Sequence, residues 1–331
     1  MQDVAATDII ENTLRKHDGL LELLLIDRTK TTSKKSHNIL WATDSYVAHK
    51  ANSEINIADI TGKNTYLIQP RIAKTKEEQK MRTRDKAEVF TPREIVSRMN
   101  QQADWTGGHW PVDNNNWQDY VSELRLEITC GEAPFIVGRY NAVNGKKVLK
   151  LGDRVGFLDR KLLVVSKYCD AKKDWIEWAV TAFKSSYGYE WQGDNLLLAR
   201  ENLLYTFVDY WNDKFPSDKI NLDRKIASDK YEILIKVAEI ISWNIFQMDG
   251  IKYVIPMSCS DPGYEVLPEV PPMIQMLFPD EKIDTASRPK YCEGCFRNEP
   301  TKHDGKYVKI MDWRKNKTIK FVDLIKGKAN G

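Results

Sequence analysis

Residues 127–135, Glu-Ile-Thr-Cys-Gly-Glu-Ala-Pro-Phe, give the clearest indication of the fold of this 331-residue chain. They follow the alternating apolar residues Leu124, Leu126 and Ile128, and they lead into the apolar residues 135–137. Alternation with period two predicts a strand. A turn of small residues at a strand end lets backbone N–H groups approach a ligand. The stretch therefore predicts an α/β fold that holds a nucleotide-like cofactor at the end of a strand.

The composition predicts a globular protein with one large α/β domain and additions, or with two domains. The chain is 42% hydrophobic and 29% charged, and its net charge of +3 neither requires nor excludes nucleic acid. No run approaches the roughly 20 apolar residues that span a bilayer. The start, Met-Gln-Asp-Val, lacks the basic and apolar regions of a secretory signal, and five scattered cysteines argue against a disulfide framework. These features predict a cytoplasmic protein with no membrane partner.

The hydrophobic pattern predicts helices and strands along the rest of the chain. Helices are expected at 9–26, 175–183 and 196–211, strands at 239–243 and 252–255, a hairpin or insertion at 141–153, a basic linker at 28–36, and a strand followed by a helix at 317–326. The mixed charges of residues 71–86 indicate either a solvated helix face, which is common at surfaces, or a contact with phosphates.

Residues 89–99, Val-Phe-Thr-Pro-Arg-Glu-Ile-Val-Ser-Arg-Met, predict a helix that begins near Pro92. Thr91 is expected to cap it, with Pro92 at the first helical position and Glu94 in the first turn. Ile95, Val96 and Met99 would share an apolar face. An ordinary capped amphipathic helix accounts for most of this pattern as well.

Residues 186–195, Ser-Tyr-Gly-Tyr-Glu-Trp-Gln-Gly-Asp-Asn, place an acidic side chain at the expected end of another strand. An ionised carboxylate is purely an acceptor, which suits two ribose hydroxyls. Glu190 is the candidate for this role. Asp194 either contacts the cofactor too or caps the helix that follows.

Taken in order, these stretches resemble the adenine-N6 DNA methyltransferases of restriction-modification systems, in particular the proteins labelled "restriction endonuclease subunit M". Residues 127–135 are similar to their loop Asp-Pro-Ala-Cys-Gly-Ser-Gly-Ala-Phe, although Ala133 replaces the second glycine. The resemblance covers roughly residues 85–255. It implies a Rossmann-like methyltransferase core at 85–256, with an N-terminal extension at 1–84 and a loop-rich segment at 257–331. It also implies that S-adenosylmethionine is bound by Phe90, Thr91, Pro92, Glu127, Thr129, Cys130, Gly131, Phe135, Glu190 and Asp194.

The same resemblance assigns catalysis to residues 242–247, Ser-Trp-Asn-Ile-Phe-Gln, where the family has Asn-Pro-Pro followed by Tyr or Phe. It implies that Asn244 orients the amine of a flipped adenine and that Phe246 stacks on the base, with Gln247 in the usual aromatic position. Both prolines of the family are missing.

Three functions stay open from the sequence. The first is methylation of a nucleic-acid base, adenine N6 in DNA foremost, within a restriction-modification or phage-defence system. The second is a catalytically degenerate methyltransferase fold that binds DNA or a partner, and the third is methylation of RNA or protein. Because only about eighty residues follow the expected catalytic loop, a restriction or specificity subunit is an expected partner for sequence recognition.

The C-terminal third carries two further hypotheses. Cys292-Glu293-Gly294-Cys295 has zinc-knuckle spacing, and His303 and Cys259 would complete four ligands of a structural zinc; two free thiols on a loop are the alternative. The basic stretch 306–320, interspersed with aromatic residues, suits either a nucleic-acid surface or a hairpin packed by its own aromatic side chains.

Overall fold

A computed structural model describes residues 11–86, 91–141, 145–260 and 292–325. The helices are α1 (Glu11–Leu14), α2 (Leu20–Leu25), α3 (Ile57–Ile60), α4 (Lys76–Lys86), α5 (Arg93–Thr106), α6 (Trp117–Ser122), α7 (Phe157–Tyr168), α8 (Lys172–Lys184), α9 (Gly193–Lys214), α10 (Ser228–Asn244), α11 (Glu293–Arg297) and α12 (Phe321–Ile325). The strands are β1 (Arg125–Glu127), β2 (Ser186–Glu190), β3 (Ile245–Gln247), β4 (Lys309–Asp312) and β5 (Lys317–Lys320).

The centre of the fold is a parallel sheet with strand order β1-β2-β3. Glu127 pairs with Gly188, and Glu190 pairs with Gln247, so the carboxyl ends of the three strands meet at one edge. Parallel strands require long crossovers, usually helical. Here α7 and α8 connect β1 to β2, and α9 and α10 connect β2 to β3. The predicted α/β class with a parallel sheet is confirmed.

Side chains alternate between the two faces of the sheet, and each face has its own core. Ile245 belongs to a large core on the side of the helices, whereas its neighbour Phe246 belongs to a second core. Helix α9 is buried along most of its length, including the polar residues Asn195, Arg200 and Glu201. Leu20 and Trp41, from the N-terminal extension, share the large core with α9 and α10.

The second face of the sheet is covered by the C-terminal segment. The β4–β5 hairpin and α12 bring Val308, Ile310 and Phe321 against Tyr189 and Phe246. The Phe321 ring centroid lies 5.7 Å from that of Phe246 and 6.1 Å from that of Tyr189. This cover does not reach β1, so Leu124, Leu126 and Ile128 are exposed.

Two predicted elements are wrong. The helix expected at 9–26 is, over its described part, two short helices, because Gly19 adopts a left-handed φ of 79° at the start of α2. The strand expected at 239–243 is the end of α10. A short apolar run such as 240–241 does not by itself separate a strand from a buried helix, and the buried residues Leu234, Val237 and Ile241 carry the helical spacing.

Other expected elements are confirmed. The helices expected at 175–183 and 196–211 are α8 and α9, and the expected C-terminal strand and helix are β5 and α12. The predicted hairpin near residue 145 contains an antiparallel bridge between Tyr140 and Lys147. The strand expected at 252–255 is not confirmed, since Val254 makes only an isolated bridge to Tyr307 there. Among the described helices, none combines the length and apolar character needed to cross a membrane.

Candidate functional site

The turn after β1 lies at the carboxyl edge of the sheet and has a strained backbone. Thr129, Gly131 and Ala133 have φ values of 46°, 52° and 65°. A left-handed conformation costs a residue with a Cβ about 1 kcal/mol or more, so the turn is held by its surroundings. One such contact is the Cys130 N–H, which donates to the Tyr189 carbonyl at 2.8 Å. Ala133 therefore adopts the backbone that a glycine at this position would adopt without strain.

Glu190, the last residue of β2, holds this turn through its carboxylate. Its Oε2 accepts from Gly131 N–H at 2.8 Å, and its Oε1 accepts from the N–H groups of Trp191 and Gln192 at 2.9 and 3.1 Å. Burial raises the pKa of Glu190, while the three N–H donors favour the charged form and offset part of that rise. A carboxylate has about four acceptor sites. Among the described contacts three are used, so Oε2 retains capacity for one more donor.

Glu127, the last residue of β1, fixes the other end of the same turn. Its two oxygens accept from Phe135 N–H at 3.2 Å and Ile136 N–H at 3.1 Å. Burial raises the pKa of Glu127 well above its usual range, and the nearby Glu190 carboxylate raises it further, whereas the two N–H bonds lower it. From α5, Asn100 Nδ2 donates to the Phe135 carbonyl at 2.9 Å. The structure thus brings together the predicted residues Glu127, Gly131, Phe135 and Glu190.

Asp194 lies at the same edge but is occupied by an ion pair. It is fully buried, with Oδ2 2.9 Å from both the Tyr46 hydroxyl and Arg82 Nη1, and 3.7 Å from Lys74 Nζ. Burial alone would raise the pKa of Asp194, but the Lys74 and Arg82 cations outweigh it and lower the pKa below 3.8. The N-cap of α9 is Gln192 and not Asp194, but Asp194 Oδ1 accepts from the Asn195 N–H at 2.9 Å in the first turn, so the capping role considered for Asp194 is present in part. Arg82 is buried too, and the expected solvated helix face at 71–86 is therefore only partly present.

The N-terminal segment covers the β3 side of this edge. Gln247 accepts from Leu40 N–H and donates to the Leu40 carbonyl, both at 2.8 Å, and it also donates to the Trp191 carbonyl at 2.8 Å. These contacts use the amide of Gln247, which the resemblance assigned to catalysis. Trp191 donates from Nε1 to the Ala42 carbonyl at 3.0 Å and remains 38% exposed. A partly exposed indole ring therefore follows Glu190 in the chain at this edge of the sheet.

Asn244 lies at the amino end of the sheet, opposite the Gly131 turn. The resemblance implied a catalytic position beside that turn, and this expectation is wrong. Its Nδ2 donates to the carbonyls of Phe183, Lys184 and Ser186 at 2.9, 3.2 and 3.0 Å, and its Oδ1 accepts from Trp313 Nε1 at 2.7 Å. The side chain is buried and its amide is fully engaged. A catalytic role for Asn244 has no geometric support at this position.

Phe246 points away from the carboxyl edge, into the second core, and is 5% exposed. It lines a cavity of about 610 Å³ that lies over the uncovered part of the sheet face. Leu126, Tyr187 and Trp313 line the same cavity, with Lys184 at its margin. The ring is therefore not available to stack on a base at the turn.

The other predicted cofactor residues have different surroundings. Pro92 is exposed and is the N-cap of α5, and no side chain caps this helix, so the cap expected from Thr91 is wrong. Thr91 is half-buried and Thr129 is exposed. Burial raises the pKa of the Cys130 thiol well above its usual value, which makes it unreactive. Phe90 lies outside the described residues.

Sequence reasoning missed Asp249, a buried carboxylate just after β3 at the same edge. Its Oδ1 accepts from the N–H groups of Ile251 and Lys252 at 2.9 and 3.0 Å. Met248 N–H donates to the Glu190 carbonyl at 3.0 Å, which ties this turn to the end of β2. The signal that identified Glu190, an acid at a strand end, was present here too, but the strand was predicted too early in the chain.

The C-terminal segment brings Cys292, Cys295 and His303 together with Cys259, and their ligand atoms all lie within 4.8 Å of one another. In the basic stretch, Trp313 and Phe321 pack inward, while Lys309, Arg314 and Lys317 are exposed. The expected hairpin is therefore present, and its aromatic side chains pack against the sheet.

Comparisons of this chain with protein-family models, with curated proteins and with solved structures found no match. The functional proposal therefore depends on the geometry of the sheet edge.

Proposed function

We propose that this protein is an S-adenosylmethionine-dependent methyltransferase that acts on a nucleic-acid base, adenine N6 in DNA foremost, within a restriction-modification or phage-defence system. The observation that carries the proposal is the strained turn at Gly131, which Glu190 holds at the carboxyl edge of a parallel sheet. Ligands of open α/β sheets bind outside the carboxyl ends of the strands. The order β1-β2-β3 with helical crossovers is that of one half of a Rossmann-like sheet.

Three features of the edge suit an adenosyl cofactor. Glu190 Oε2 retains capacity for a ribose hydroxyl, and the Trp191 ring offers a flat face to an adenine. A Cβ built on Gly131 meets no atom within 4 Å, so the turn borders open space where the methionine end would lie. The cofactor supplies a methyl group activated by its sulfonium charge. The chain supplies orientation, since preorganised contacts lower the barrier of a transfer between bound partners.

The test combines calorimetry with S-adenosylmethionine and transfer of a labelled methyl group to duplex DNA, RNA or cell extract. The proposal expects binding of one cofactor per chain and label in nucleic acid. Glu190→Gln should weaken binding by about 10-fold to 100-fold, because a hydrogen bond to a charged group contributes about 1.5 to 3 kcal/mol. Thermal unfolding of the variant controls for loss of the fold. A well-folded protein that does not bind the cofactor would refute the proposal.

A second candidate is a catalytically degenerate methyltransferase fold that binds DNA or a partner subunit. The observation in its favour is that the three residues to which the resemblance assigned catalysis have other contacts. Asn244 and Gln247 make hydrogen bonds to the backbone, and Phe246 packs into the second core, away from the Gly131 turn. This candidate predicts cofactor binding without label transfer to any acceptor. Label in RNA or protein alone would instead identify a different substrate for the same site.

A further inference from the structure

Four side chains converge in the C-terminal segment, beyond the parallel sheet. The sulfur atoms of Cys259, Cys292 and Cys295 lie 3.7, 3.5 and 3.6 Å from His303 Nδ1. Cys292 is the N-cap of α11, Cys295 lies within that helix, and His303 follows it. Cys259 comes from the other side of residues 261–291, so the cluster joins two distant parts of the chain.

Hydrogen bonding does not explain this convergence. A ring nitrogen has one hydrogen or one lone pair, so it satisfies one sulfur and not three. Tetrahedral zinc, with Zn–S of about 2.3 Å and Zn–N of about 2.0 to 2.1 Å, places a nitrogen about 3.6 Å from each sulfur ligand. The three distances agree with that value. We propose that Cys259, Cys292, Cys295 and the Nδ1 atom of His303 form a structural zinc site.

The surroundings of the cluster fit a metal centre. A Cβ on Gly294 would lie 2.5 Å from His303 N and 2.7 Å from Nδ1, so only glycine allows this approach. The Asp304 N–H donates to Cys292 Sγ at 3.3 Å. Three thiolates around a divalent ion leave one negative charge, which this donor partly offsets. Such contacts around the ligands orient them and tune the metal.

Four protein ligands leave no open position, which is the mark of a structural rather than a catalytic zinc. Backbone hydrogen bonds near the ligands connect residues 306–308 to the segment that follows β3. Ile255 N–H donates to the Lys306 carbonyl at 2.9 Å, and Val308 N–H donates to the Tyr253 carbonyl at 3.0 Å. Zinc would therefore anchor the hairpin and α12, which cover Tyr189 and Phe246. This structural role is independent of cofactor binding at the Gly131 turn.

The first test is elemental analysis of the full chain purified without added metal. We expect one zinc per chain, and we expect a strong chelator to lower the melting temperature and added zinc to restore it. Cys295→Ser should lose the metal. Cys169→Ser is the matched control, because Cys169 is a buried thiol outside the cluster, and it should retain a full equivalent.

A second variant separates loss of metal from loss of fold. His303→Cys supplies a fourth sulfur in place of the nitrogen, so it should still bind one metal, and its cobalt(II) form should show stronger thiolate charge-transfer absorption than the wild type. The proposal is overturned if the folded wild type contains no metal, contains iron, or forms a disulfide between Cys292 and Cys295. It is also overturned if Cys295→Ser keeps a full equivalent of zinc.

Discussion

The two ends of the parallel sheet use buried polar side chains in opposite ways. At the carboxyl end, Glu127 and Glu190 accept backbone N–H groups around a strained turn, and the contacts among the described residues leave Glu190 capacity for another donor. At the amino end, Asn244 spends its whole amide on three carbonyls and one indole. A polar residue with spare hydrogen-bonding capacity beside open space can serve a ligand. One that is fully engaged inside the fold stabilises the protein, whatever motif it belongs to.

The largest expected change in the free energy of unfolding comes from Asp194. This carboxylate stabilises the fold through buried ion pairs, although it lies at the carboxyl end of the sheet. Asp194→Asn should lower the free energy of unfolding at pH 7 by about 3 to 5 kcal/mol, because it removes the buried negative charge that faces the cations of Arg82 and Lys74. Urea unfolding measures this loss. Asp218→Asn, at an exposed pair with Lys172, is the control and should change stability little.

The pH dependence of the same pair has a definite sign. The folded-state pKa of Asp194 lies below its ordinary value of 3.8. Its contribution to stability is therefore present above pH 3.8 and is lost as the pH falls through the lower, folded-state pKa. The difference between the wild type and Asp194→Asn should shrink in that acidic range. A constant difference down to full protonation would show that the variant loses packing and not charge.

At the amino end, Asn244→Ala should cost about 2 to 3 kcal/mol of stability, since it leaves buried carbonyls and the Trp313 N–H without partners. Cofactor affinity of the folded variant should equal that of the wild type. Asn221→Ala, at an exposed turn, is the control for asparagine removal. Unchanged stability together with loss of methyl transfer would contradict our interpretation and return Asn244 to a catalytic role.

A smaller effect is expected at a carboxyl that lacks the N–H donors of Glu190. Glu201 is fully buried on α9, and neither of its oxygens has a hydrogen-bond partner among the described residues. Burial raises the pKa of Glu201 well above its usual range, and the charge of Glu11 raises it further. Burial likewise raises the pKa of Glu11 from 4.5 to about 7.

Both groups bind protons more tightly in the folded state, so their contribution is complete below pH 4.5 and is lost as the pH rises through the folded-state values. Glu201→Gln should therefore match the wild type at pH 4 and have a higher free energy of unfolding than the wild type at pH 8. Thermal or urea unfolding at the two pH values checks this. A variant that is less stable than the wild type at pH 8 would reveal a partner that favours the charged carboxylate.

The sequence predicted the carboxyl end well and the amino end poorly, for a physical reason. At β1 and β2 a strand runs directly into a turn with an acid or glycine, so local pattern and position agree. At residues 239–243 the apolar run suits a strand and a buried helix equally well, so local pattern does not separate the two. The strand therefore lies about five residues later than predicted, at Ile245–Gln247. Residues 242–247, which were expected to form the catalytic loop, are instead the end of α10 followed by β3.

Local sequence patterns did not predict the contacts between distant parts of the chain. Nothing near Asp194 in the sequence predicts that Tyr46 and Arg82 meet it. The metal cluster was accessible in part, because Cys292 and Cys295 have a recognisable spacing. The sequence also offers His303 and Cys259 as the remaining ligands, but Cys259 is separated from Cys292 by more than thirty residues, and the fold brings it to the cluster.

The central claim, that the Gly131 turn borders the cofactor, is tested most directly by calorimetry with S-adenosylmethionine on two matched variants. Gly131 and Gly62 have φ values of 52° and 67°, and an added Cβ meets no atom within 4 Å at either position. Both alanine substitutions therefore impose a similar backbone strain, but only the first adds a methyl group to the proposed site. We predict that Gly62→Ala binds like the wild type and that Gly131→Ala binds about tenfold more weakly or worse. Equal affinity in the two variants, or a wild type that does not bind, would contradict the account.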